Sequence, residues 1–472
     1  MRKLIGLLAT AAVAATALTA TTPLQADAGQ RRLVDNPPNI VFVLVDDMRA
    51  DDLAYMPATR RLLADGGVEF SRAYAVNPLC CPSRASILTG QYAHNTGVMD
   101  NKGVNGGFDA FDDTETVATW LDSAGYATGF LGKYLNGYAR TNPEYVPPGW
   151  DEWRVSTEGT YEYLGPTTYN VNGTLEKRTG YQTDVLSEMA ETFVQERAGS
   201  PFFLFLSYTA PHEGRVDRSW VPPTPASRHE HAYDGVQVPQ DASYNEKQVA
   251  DKPQSLRRKL MSREDEEAVR FSYENRLESL LAVDEGVEGL VTTLRATQQL
   301  DNTYVVFVSD NGFFMGEHRY DGGKRLHYEP VSKVPLLITG PGLPPGDQRQ
   351  QIVGLHDLAP TFLGWAGAAA PDTFAVDGAD VMPFVLDARR NTDRDLLIEG
   401  VDAKSAWQEY DAIRTNRWKY VEYVTGEAEM YDLATDPYET MNLAGRARYT
   451  SRKAALADRL GAVRACVGAE CR

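Results

Sequence analysis

Two apolar runs stand out along the chain, and a pair of polar residues follows each one. A strand that is buried on both faces of a parallel sheet has this pattern. In open α/β sheets, ligands bind at the edge where the carboxyl ends of the strands meet, so both polar pairs are predicted to lie at such an edge. Residues 39–45 lead into Asp46 and Asp47, and residues 304–309 lead into Asp310 and Asn311.

Strand and helix patterns alternate through the first 390 residues, and this order predicts an α/β fold with helices around a central sheet. Two further strand patterns lead into Lys133 and towards His212, which places both residues at the same predicted edge. The predicted strands are 39–45, 68–75, 127–131, 202–207, 304–309 and 334–338, and the predicted helices are 58–64, 83–90, 116–123, 181–196, 264–296 and 356–365.

The pattern changes near residue 395 to short strands separated by turns, followed by a helix at 451–463. It predicts a smaller C-terminal subdomain, residues 391–472, built on an antiparallel sheet, after a main domain of residues 29–390. Residues 215–262 are rich in proline and charge and have weak periodicity. We interpret them as an insertion that covers the site and sets substrate specificity.

The N-terminus has the three parts of a signal peptide. Two basic residues, Arg2 and Lys3, precede an apolar run from 4 to 20, and Ala26-Asp27-Ala28 resembles a cleavage site. Residues 1–28 are therefore predicted to direct export and to be removed, which gives a secreted protein. No later segment holds eighteen consecutive apolar residues, so no membrane span is expected.

Charge and cysteine content narrow the function classes. The formal net charge is −18 at pH 7, which disfavours nonspecific nucleic-acid binding. Of the four cysteines, Cys466 and Cys471 enclose a short loop and are predicted to pair. A bond between the neighbours Cys80 and Cys81 would be strained, so both are expected to lack a disulfide partner.

The two polar pairs at the predicted sheet edge are candidate metal ligands. Asp46, Asp47 and Asp310 offer carboxylates, and Asn311 offers an amide oxygen. Oxygen ligands of this kind fit a hard cation such as Ca²⁺ better than zinc, for which several histidines would be expected. The seven histidines are not adjacent to these acids in the sequence.

Residues 80–90, Cys-Cys-Pro-Ser-Arg-Ala-Ser-Ile-Leu-Thr-Gly, combine a thiol with the expected start of a helix. Pro82 suits a first helical turn and Ser83 is a candidate cap, which would leave Cys80 just before the helix. The free N–H groups of such an end bind anions, and Arg84 adds a permanent cation. The stretch indicates chemistry on a sulfate or phosphate ester, although Cys80 and Cys81 could also be buried small hydrophobic residues.

Cys80-x-Pro82-Ser83-Arg84 followed by Leu-Thr-Gly resembles the signature of the sulfatase family, and only Cys80 has the matching register. The resemblance extends along nearly all of the chain after residue 28. Within the family, the stretches 79–90 and 132–136 are most similar to the N-acetylglucosamine-6-sulfatase and heparan endosulfatase branch. The further matching segments, in order, are 45–47, 132–133, 210–212, 309–312, Lys324, 431–433, 436–437 and 442–443.

The resemblance implies an alkaline-phosphatase-like fold and a sulfuric ester hydrolase. It also implies that the formylglycine-generating enzyme oxidises Cys80 to formylglycine, whose hydrate is the nucleophile. The implied ligands of one Ca²⁺ per chain are Asp46, Asp47, modified Cys80, Asp310 and Asn311. The implied catalytic residues are Cys80, Arg84, Lys133 and Lys324 at the sulfate group and His212 at the departing oxygen.

One position departs from the family pattern. Many arylsulfatases carry a histidine two residues after the motif lysine to act as a base, and here that residue is Leu135. Asn136 and His318 are the candidates to replace it. The added C-terminal domain of endosulfatases is not apparent, which favours a small or chain-end ester, either of a sulfated sugar or of an aryl group.

Two other functions stay open. A phosphonate or phosphodiester monoesterase of the same superfamily would use the same aldehyde nucleophile. A noncatalytic binder of sulfated glycans would result if Cys80 is never oxidised.

Overall fold

The computed structural model describes residues 36–390, 394–401 and 409–472, and its main feature is a ten-stranded sheet. The predicted α/β fold is confirmed. The five strands at the centre of the sheet run parallel. An antiparallel strand joins each side of this group, and further strands extend both edges. In spatial order the strands are β14 (Asp347–Arg349), β2 (Val68–Phe70), β13 (Leu336–Thr339), β11 (Thr303–Ser309), β1 (Asn39–Val45), β8 (Phe202–Ser207), β4 (Ala127–Gly132), β5 (Glu152–Glu158), β6 (Thr167–Val171) and β7 (Thr174–Arg178).

In the described residues, three smaller sheets accompany the central one, and the predicted C-terminal antiparallel sheet is among them. The proposed signal peptide, residues 1–28, and the domain boundary at residue 391 lie outside the described residues. The small sheets are β12 (Lys333–Val334), β3 (Ala73–Tyr74) and β15 (Val353–Gly354), the hairpin β9 (Gly214–Val216) and β10 (Ser219–Val221), and β16 (Leu396–Gly400), β17 (Tyr410–Arg414), β18 (Trp418–Tyr423) and β19 (Ala428–Asp432).

Ten α-helical segments lie in the described residues. Within the part of the chain that the structure covers, no helix combines the length and the apolar character that a membrane span needs. The helices are α1 (Pro57–Thr59, continued by a π-helical turn at Arg60–Ala64), α2 (Cys80–Thr89), α3 (Ala93–Thr96), α4 (Val117–Ser123), α5 (Gln182–Glu196), α6 (Arg263–Ala296), α7 (Glu329–Ser332), α8 (Leu358–Ala366), α9 (Met382–Leu386) and α10 (Thr450–Val463).

Strand β1 shows why the apolar runs are continuous. Its side chains alternate between the two faces of the sheet, and both faces are covered. Ile40, Phe42 and Leu44 pack with residues of α2, α4 and α8, whereas Val41 and Val43 pack with α5 and α6. A strand covered by helices on both sides has no polar face, so its sequence needs no polar alternation.

Two predicted strands are in fact broken. Residues 68–75 divide between β2 and β3 because the chain turns at Ser71 and Arg72. Residues 334–338 divide between β12 and β13 at Pro335, which has no N–H to donate to a sheet.

Helix α2 begins earlier than predicted. Cys80 is its first residue, because the preceding Leu79 is extended, with φ of −152°. Pro82 lies within the first turn, where its missing N–H costs no helical hydrogen bond. The helix ends at Gly90, whose φ of +74° is a left-handed conformation that favours glycine.

His94 of helix α3 contacts the C-terminal segment at Cys466. The predicted disulfide between Cys466 and Cys471 is confirmed. His94 Nδ1 lies 2.8 Å from Glu399 Oε1, and Nε2 lies 2.9 Å from the carbonyl oxygen of Cys466. Because both ring nitrogens face acceptors, this geometry favours the doubly protonated imidazolium.

This contact predicts a pH-dependent stability. Burial alone would lower the pKa of His94, but the hydrogen bond and charge of Glu399 with the Cys466 carbonyl raise it to about 9. A raised pKa means that the stabilisation is complete below the unfolded-state value and is lost as the pH rises through about 9. We expect His94→Gln to lower the free energy of unfolding by about 1 kcal/mol near neutral pH, a value discounted for partial exposure.

Denaturant titrations of both proteins between pH 6 and pH 10 measure the difference. It should shrink towards pH 10, whereas the same substitution at the exposed His231 should have little effect at any pH. A difference that stays constant over this range would contradict the imidazolium assignment.

Candidate active site

The predicted site residues converge because four parallel strands end side by side. Val45 pairs with Ser309 across β1 and β11, Leu44 pairs with Ser207 of β8, and Ser207 pairs with Gly132 of β4. The residues that follow these ends are therefore at the same level of the sheet. They are Asp46 and Asp47 after β1, Asp310 and Asn311 after β11, His212 five residues beyond β8, and Lys133 after β4.

Helix α2 and the loop that holds Lys324 bring the remaining residues. Cys80 is 1% exposed, and its Sγ lies 3.5 Å from Asp46 Oδ1 and 2.8 Å from Lys324 Nζ. Arg84 follows one turn later and faces the same cluster. The structure thus brings together all nine residues that the sequence nominated for catalysis or metal binding.

Three buried carboxylates are balanced by three cationic side chains. Lys133 contacts Asp46, and Lys324 contacts Asp47. Arg84 donates from Nε to Asp310 Oδ2 at 2.9 Å and lies 3.5 Å from Asp46 Oδ2 through Nη2. Burial alone would raise the pKa of Asp46, but the charges of Lys133, His212, Arg84 and Lys324 hold it well below its usual range.

Cys80 is not an activated thiolate in this setting. Burial, reinforced by the negative charge of Asp46, raises the pKa of its thiol to about 11, and the nearby lysines only partly offset this. An ordinary thiol with such a pKa is protonated at neutral pH and is a weak nucleophile. Neither Cys80 nor Cys81 forms a disulfide.

His212 is neutral in this environment. Burial lowers its pKa to about 4 despite the nearby Asp47 and Asp46. Its Nδ1 lies 2.8 Å from the carbonyl oxygen of Glu213, which can only accept, so Nδ1 carries the proton. Nε2 is then the unprotonated nitrogen, 3.6 Å from Asp47 Oδ2. The fold thus places one histidine beside the acids, although none is adjacent to them in the sequence.

The donor set fits a divalent cation. Ligand atoms of Asp46, Asp47, Cys80 and His212 all lie within 4.8 Å of one another. Asp47 Oδ2 and Asn311 Oδ1 are buried and have no hydrogen-bond partner in the described part of the chain. Buried oxygens without a donor are costly, and a hard cation is the partner that carboxylate and amide oxygens accept most readily.

Asp310 and Asn311 also serve as supports for their neighbours. Asp310 Oδ1 accepts from the N–H of Asp47 at 3.1 Å, and its other oxygen is held by Arg84. Asn311 donates from Nδ2 to Asp47 Oδ1 at 2.6 Å, which turns its own oxygen away from that carboxylate. The two residues after β11 therefore fix both the side chain and the backbone of Asp47, which follows β1.

Two side chains that the sequence did not nominate hold the site in place. Arg276 of α6 donates to the carbonyl oxygens of Pro211, at 3.0 Å, and of Asp47. The Ser207 hydroxyl accepts from Arg84 Nη1 at 2.8 Å and donates to the carbonyl of Lys133 at 2.7 Å. The signal for Arg276 was its position beside the apolar residues Leu277 and Leu280 of α6, whereas nothing marked Ser207.

Ser83 has a different role from the predicted one. Its hydroxyl donates to the carbonyl oxygen of Asp310 at 2.6 Å, so it does not cap helix α2. The capping residue, Leu79, makes no side-chain hydrogen bond. Ser83 instead joins the first turn of the helix to the end of β11.

The two candidates for the missing base differ in their surroundings. Asn136 lies beside helix α2: its N–H donates to Cys81 Sγ at 3.1 Å, and its Oδ1 accepts from Tyr161 at 3.3 Å. His318 contacts Glu246 at 2.8 Å and packs against the ring of Tyr328. Burial holds the pKa of His318 well below the usual value.

Family models match most of this chain. The Sulfatase model matches residues 38–368 and spans the central sheet and every site residue. A second model, described as N-sulphoglucosamine sulphohydrolase, C-terminal, matches residues 316–466.

Curated relatives are named as sulfatases. The chain is 34% identical over 395 residues to the N-acetylglucosamine-6-sulfatase of Homo sapiens. The match covers 79% of this chain and 68% of that protein. It is 30% identical over 498 residues to an arylsulfatase of Volvox carteri, and that match covers 92% of this chain and 75% of the arylsulfatase. An extracellular sulfatase SULF-1 homolog of Drosophila melanogaster is 35% identical over 369 residues, but the match spans only 32% of that protein's length.

Solved structures share the fold. A protein solved in complex with its substrate D-glucosamine-2-N,6-O-disulfate has a TM-score of 0.75 and 25% identity, covering 90% of this chain and 97% of that one. A phosphonate monoester hydrolase from Silicibacter pomeroyi has a TM-score of 0.66 at 23% identity, and the match covers 90% of this chain and 94% of that one. The implied alkaline-phosphatase-like fold is thus confirmed, and the chain belongs to the sulfatase family of sulfuric ester hydrolases.

Proposed function

We propose that this chain is an exported, calcium-dependent sulfatase that uses a formylglycine made from Cys80. Its substrate is a sulfate ester, either of a sulfated sugar of the N-acetylglucosamine 6-sulfate type or of an aryl group. The observation that carries the proposal is the position of Cys80 Sγ, 2.8 Å from Lys324 Nζ and 3.5 Å from Asp46 Oδ1. Position 80 thus adjoins both the acid cluster and a cation that can bind a sulfate oxygen.

The nucleophile requires a change at Cys80, because burial keeps the thiol protonated. Formylglycine would supply a hydrated aldehyde, one hydroxyl of which attacks sulfur while the other later expels sulfate and restores the aldehyde. The formylglycine-generating enzyme is the partner that the proposal requires for this oxidation. Helix α2 directs position 80 towards the strand ends, and Ser83 anchors that turn to Asp310.

The proposed cation is one Ca²⁺ per chain. Asp46, Asp47, Asp310, Asn311 and the modified side chain at position 80 would hold it. A bound cation would favour the ionised form of the attacking hydroxyl and offset charge on the sulfate group. The unpartnered buried oxygens of Asp47 and Asn311 support this assignment.

Arg84, Lys133 and Lys324 would bind the sulfate oxygens and stabilise the charge that moves as the S–O bond breaks. Lys133 and Arg84 are held rigidly, since their partners Asp46 and Asp310 are wholly buried. His212 would stand at the departing oxygen. It can deliver a proton only from its imidazolium form, in which Nδ1 still donates to Glu213 and Nε2 carries the second proton.

Secretion is part of the proposal. It is supported by the signal-peptide pattern of residues 1–28 and by relatives that are named extracellular sulfatases. The net charge of −18 repels an anionic ester at long range. The cationic residues around Cys80 would therefore supply the attraction that binds it at the site.

A phosphonate or phosphodiester monoesterase is the second candidate, because the phosphonate monoester hydrolase of Silicibacter pomeroyi shares the fold. Parallel kinetics on aryl sulfate and aryl phosphonate esters would rank the two reactions. A noncatalytic sulfated-glycan binder is the third, and the state of Cys80 separates it from both enzymes.

The first prediction concerns Cys80. The mass of the peptide that contains it should be lower than the thiol form by the difference between CH₂SH and CHO. Cys80→Ala should reduce turnover of an aryl sulfate by about 10⁴-fold or more, because it removes the nucleophile. Cys81→Ala is the matched control at the neighbouring buried cysteine and should retain activity if the protein folds. A fully intact thiol in an active preparation would refute the formylglycine assignment.

The second prediction concerns the cation. Removal of bound metal with a chelator should lower turnover by about 100-fold or more, and Ca²⁺ should restore it. The melting temperature should fall in parallel, because the ion stabilises only the folded acid cluster. Recovery with zinc and not with calcium would show that the argument from oxygen ligands is wrong.

The third prediction separates catalysis from stability at Lys324. Lys324→Ala should lower kcat/KM by about 10²–10³-fold and weaken inhibition by free sulfate, because a sulfate-binding cation is lost. The melting temperature should change by only a few degrees. Lys259→Ala, at an exposed lysine, is the control. If Lys324→Ala reduced stability as severely as rate, with unchanged sulfate inhibition, a purely structural role would be supported.

A further inference from the structure

Two aromatic side chains, with a cationic side chain at each end, form a row that runs from the buried site to the protein surface. Lys133 Nζ lies 5.0 Å from the ring centroid of Tyr161, and the rings of Tyr161 and Trp220 lie 5.2 Å apart. The guanidinium carbon of Arg215 then lies 5.4 Å from the ring of Trp220. Lys133 is only 3% exposed whereas Trp220 is 52% exposed, so the row leads from the site to solvent.

Trp220 is also a direct neighbour of His212. Their ring centroids are 5.5 Å apart, and His212 itself lies 3.6 Å from Asp47. If His212 stands at the departing oxygen, the group attached to that oxygen lies within reach of the indole. Trp220 therefore borders the part of the substrate that distinguishes one sulfate ester from another.

The hairpin β9–β10 holds Trp220 in this position. Trp220 pairs with Arg215 across the hairpin, which brings the guanidinium over the indole. The N–H of Arg215 donates to the carbonyl of Tyr161 at 2.8 Å, and the Tyr163 hydroxyl donates to the carbonyl of His212 at 2.6 Å. These contacts tie the exposed indole to the site.

We propose that Trp220 is the platform on which the pyranose ring of a sulfated sugar stacks, with Arg215 as a polar contact at its edge. The inference rests on the proposed sulfatase function and selects the sugar among its substrates. A pyranose has an apolar C–H face surrounded by hydroxyls, and it matches an indole flanked by polar groups. An aryl ring would use the indole face but not the guanidinium donors of Arg215.

Kinetics on N-acetylglucosamine 6-sulfate test the platform. Trp220→Ala should raise KM by about ten-fold with little change in kcat, because one aromatic stacking contact is lost. Trp220→Phe should retain most of the affinity, since it keeps an aromatic face. Inhibition by inorganic sulfate should not change, because that ion does not extend to the hairpin. Phe271→Ala, at an exposed aromatic residue of α6, is the control.

Binding measurements keep the test independent of turnover. Calorimetry with N-acetylglucosamine 6-sulfate on Cys80→Ala, with and without Trp220→Ala, should show the same ten-fold loss of affinity. Equal affinities in these two proteins, or no binding by Cys80→Ala, would overturn the platform. The sulfatase proposal would still stand or fall on a separate measurement, the mass of the Cys80 peptide from the unsubstituted protein. If that peptide is unmodified but the sugar binds through Trp220, the catalytic proposal fails and the platform stands.

Discussion

The structure depends on the burial of three carboxylates, Asp46, Asp47 and Asp310, at the carboxyl ends of the parallel strands β1 and β11 of the central sheet. Burial, together with the charge of Asp46, raises the pKa of Asp310 to about 6, whereas neighbouring cations hold the pKa of Asp46 well below its usual range. Arg84 faces both carboxylates and balances them. Because a buried charge without its partner is destabilising, the ends of β1 and β11 and helix α2 depend on one another through Arg84.

The sheet supplies the alignment that this balance needs. Parallel pairing of β1 with β11 and β8 fixes which residues leave the sheet at the same level. Arg276 adds a second constraint from α6, because it binds the carbonyls of Asp47 and Pro211, which follow two different strands. The long helix α6 thus contacts both of the loops that carry Asp47 and His212.

Much of this arrangement could be predicted, because its determinants are local in the sequence. The apolar run of β1 and the acids after it are contiguous, and so are Cys80 and Arg84. The rest required contacts between distant segments. Ser83 was expected to cap its own helix, but the carbonyl of Asp310, far along the chain, takes its hydroxyl. Trp220 lay in a segment of weak periodicity, and only folding shows that it adjoins His212.

The burial of Cys80 has a consequence for biosynthesis. All ten residues of helix α2 are buried, and the thiol lies beneath Lys324 and against Asp46. Under the proposed mechanism, a second protein must reach that sulfur, which the completed fold does not permit. The oxidation would then have to occur while the nascent chain is still open, and a molecule that folded too early would remain permanently inert.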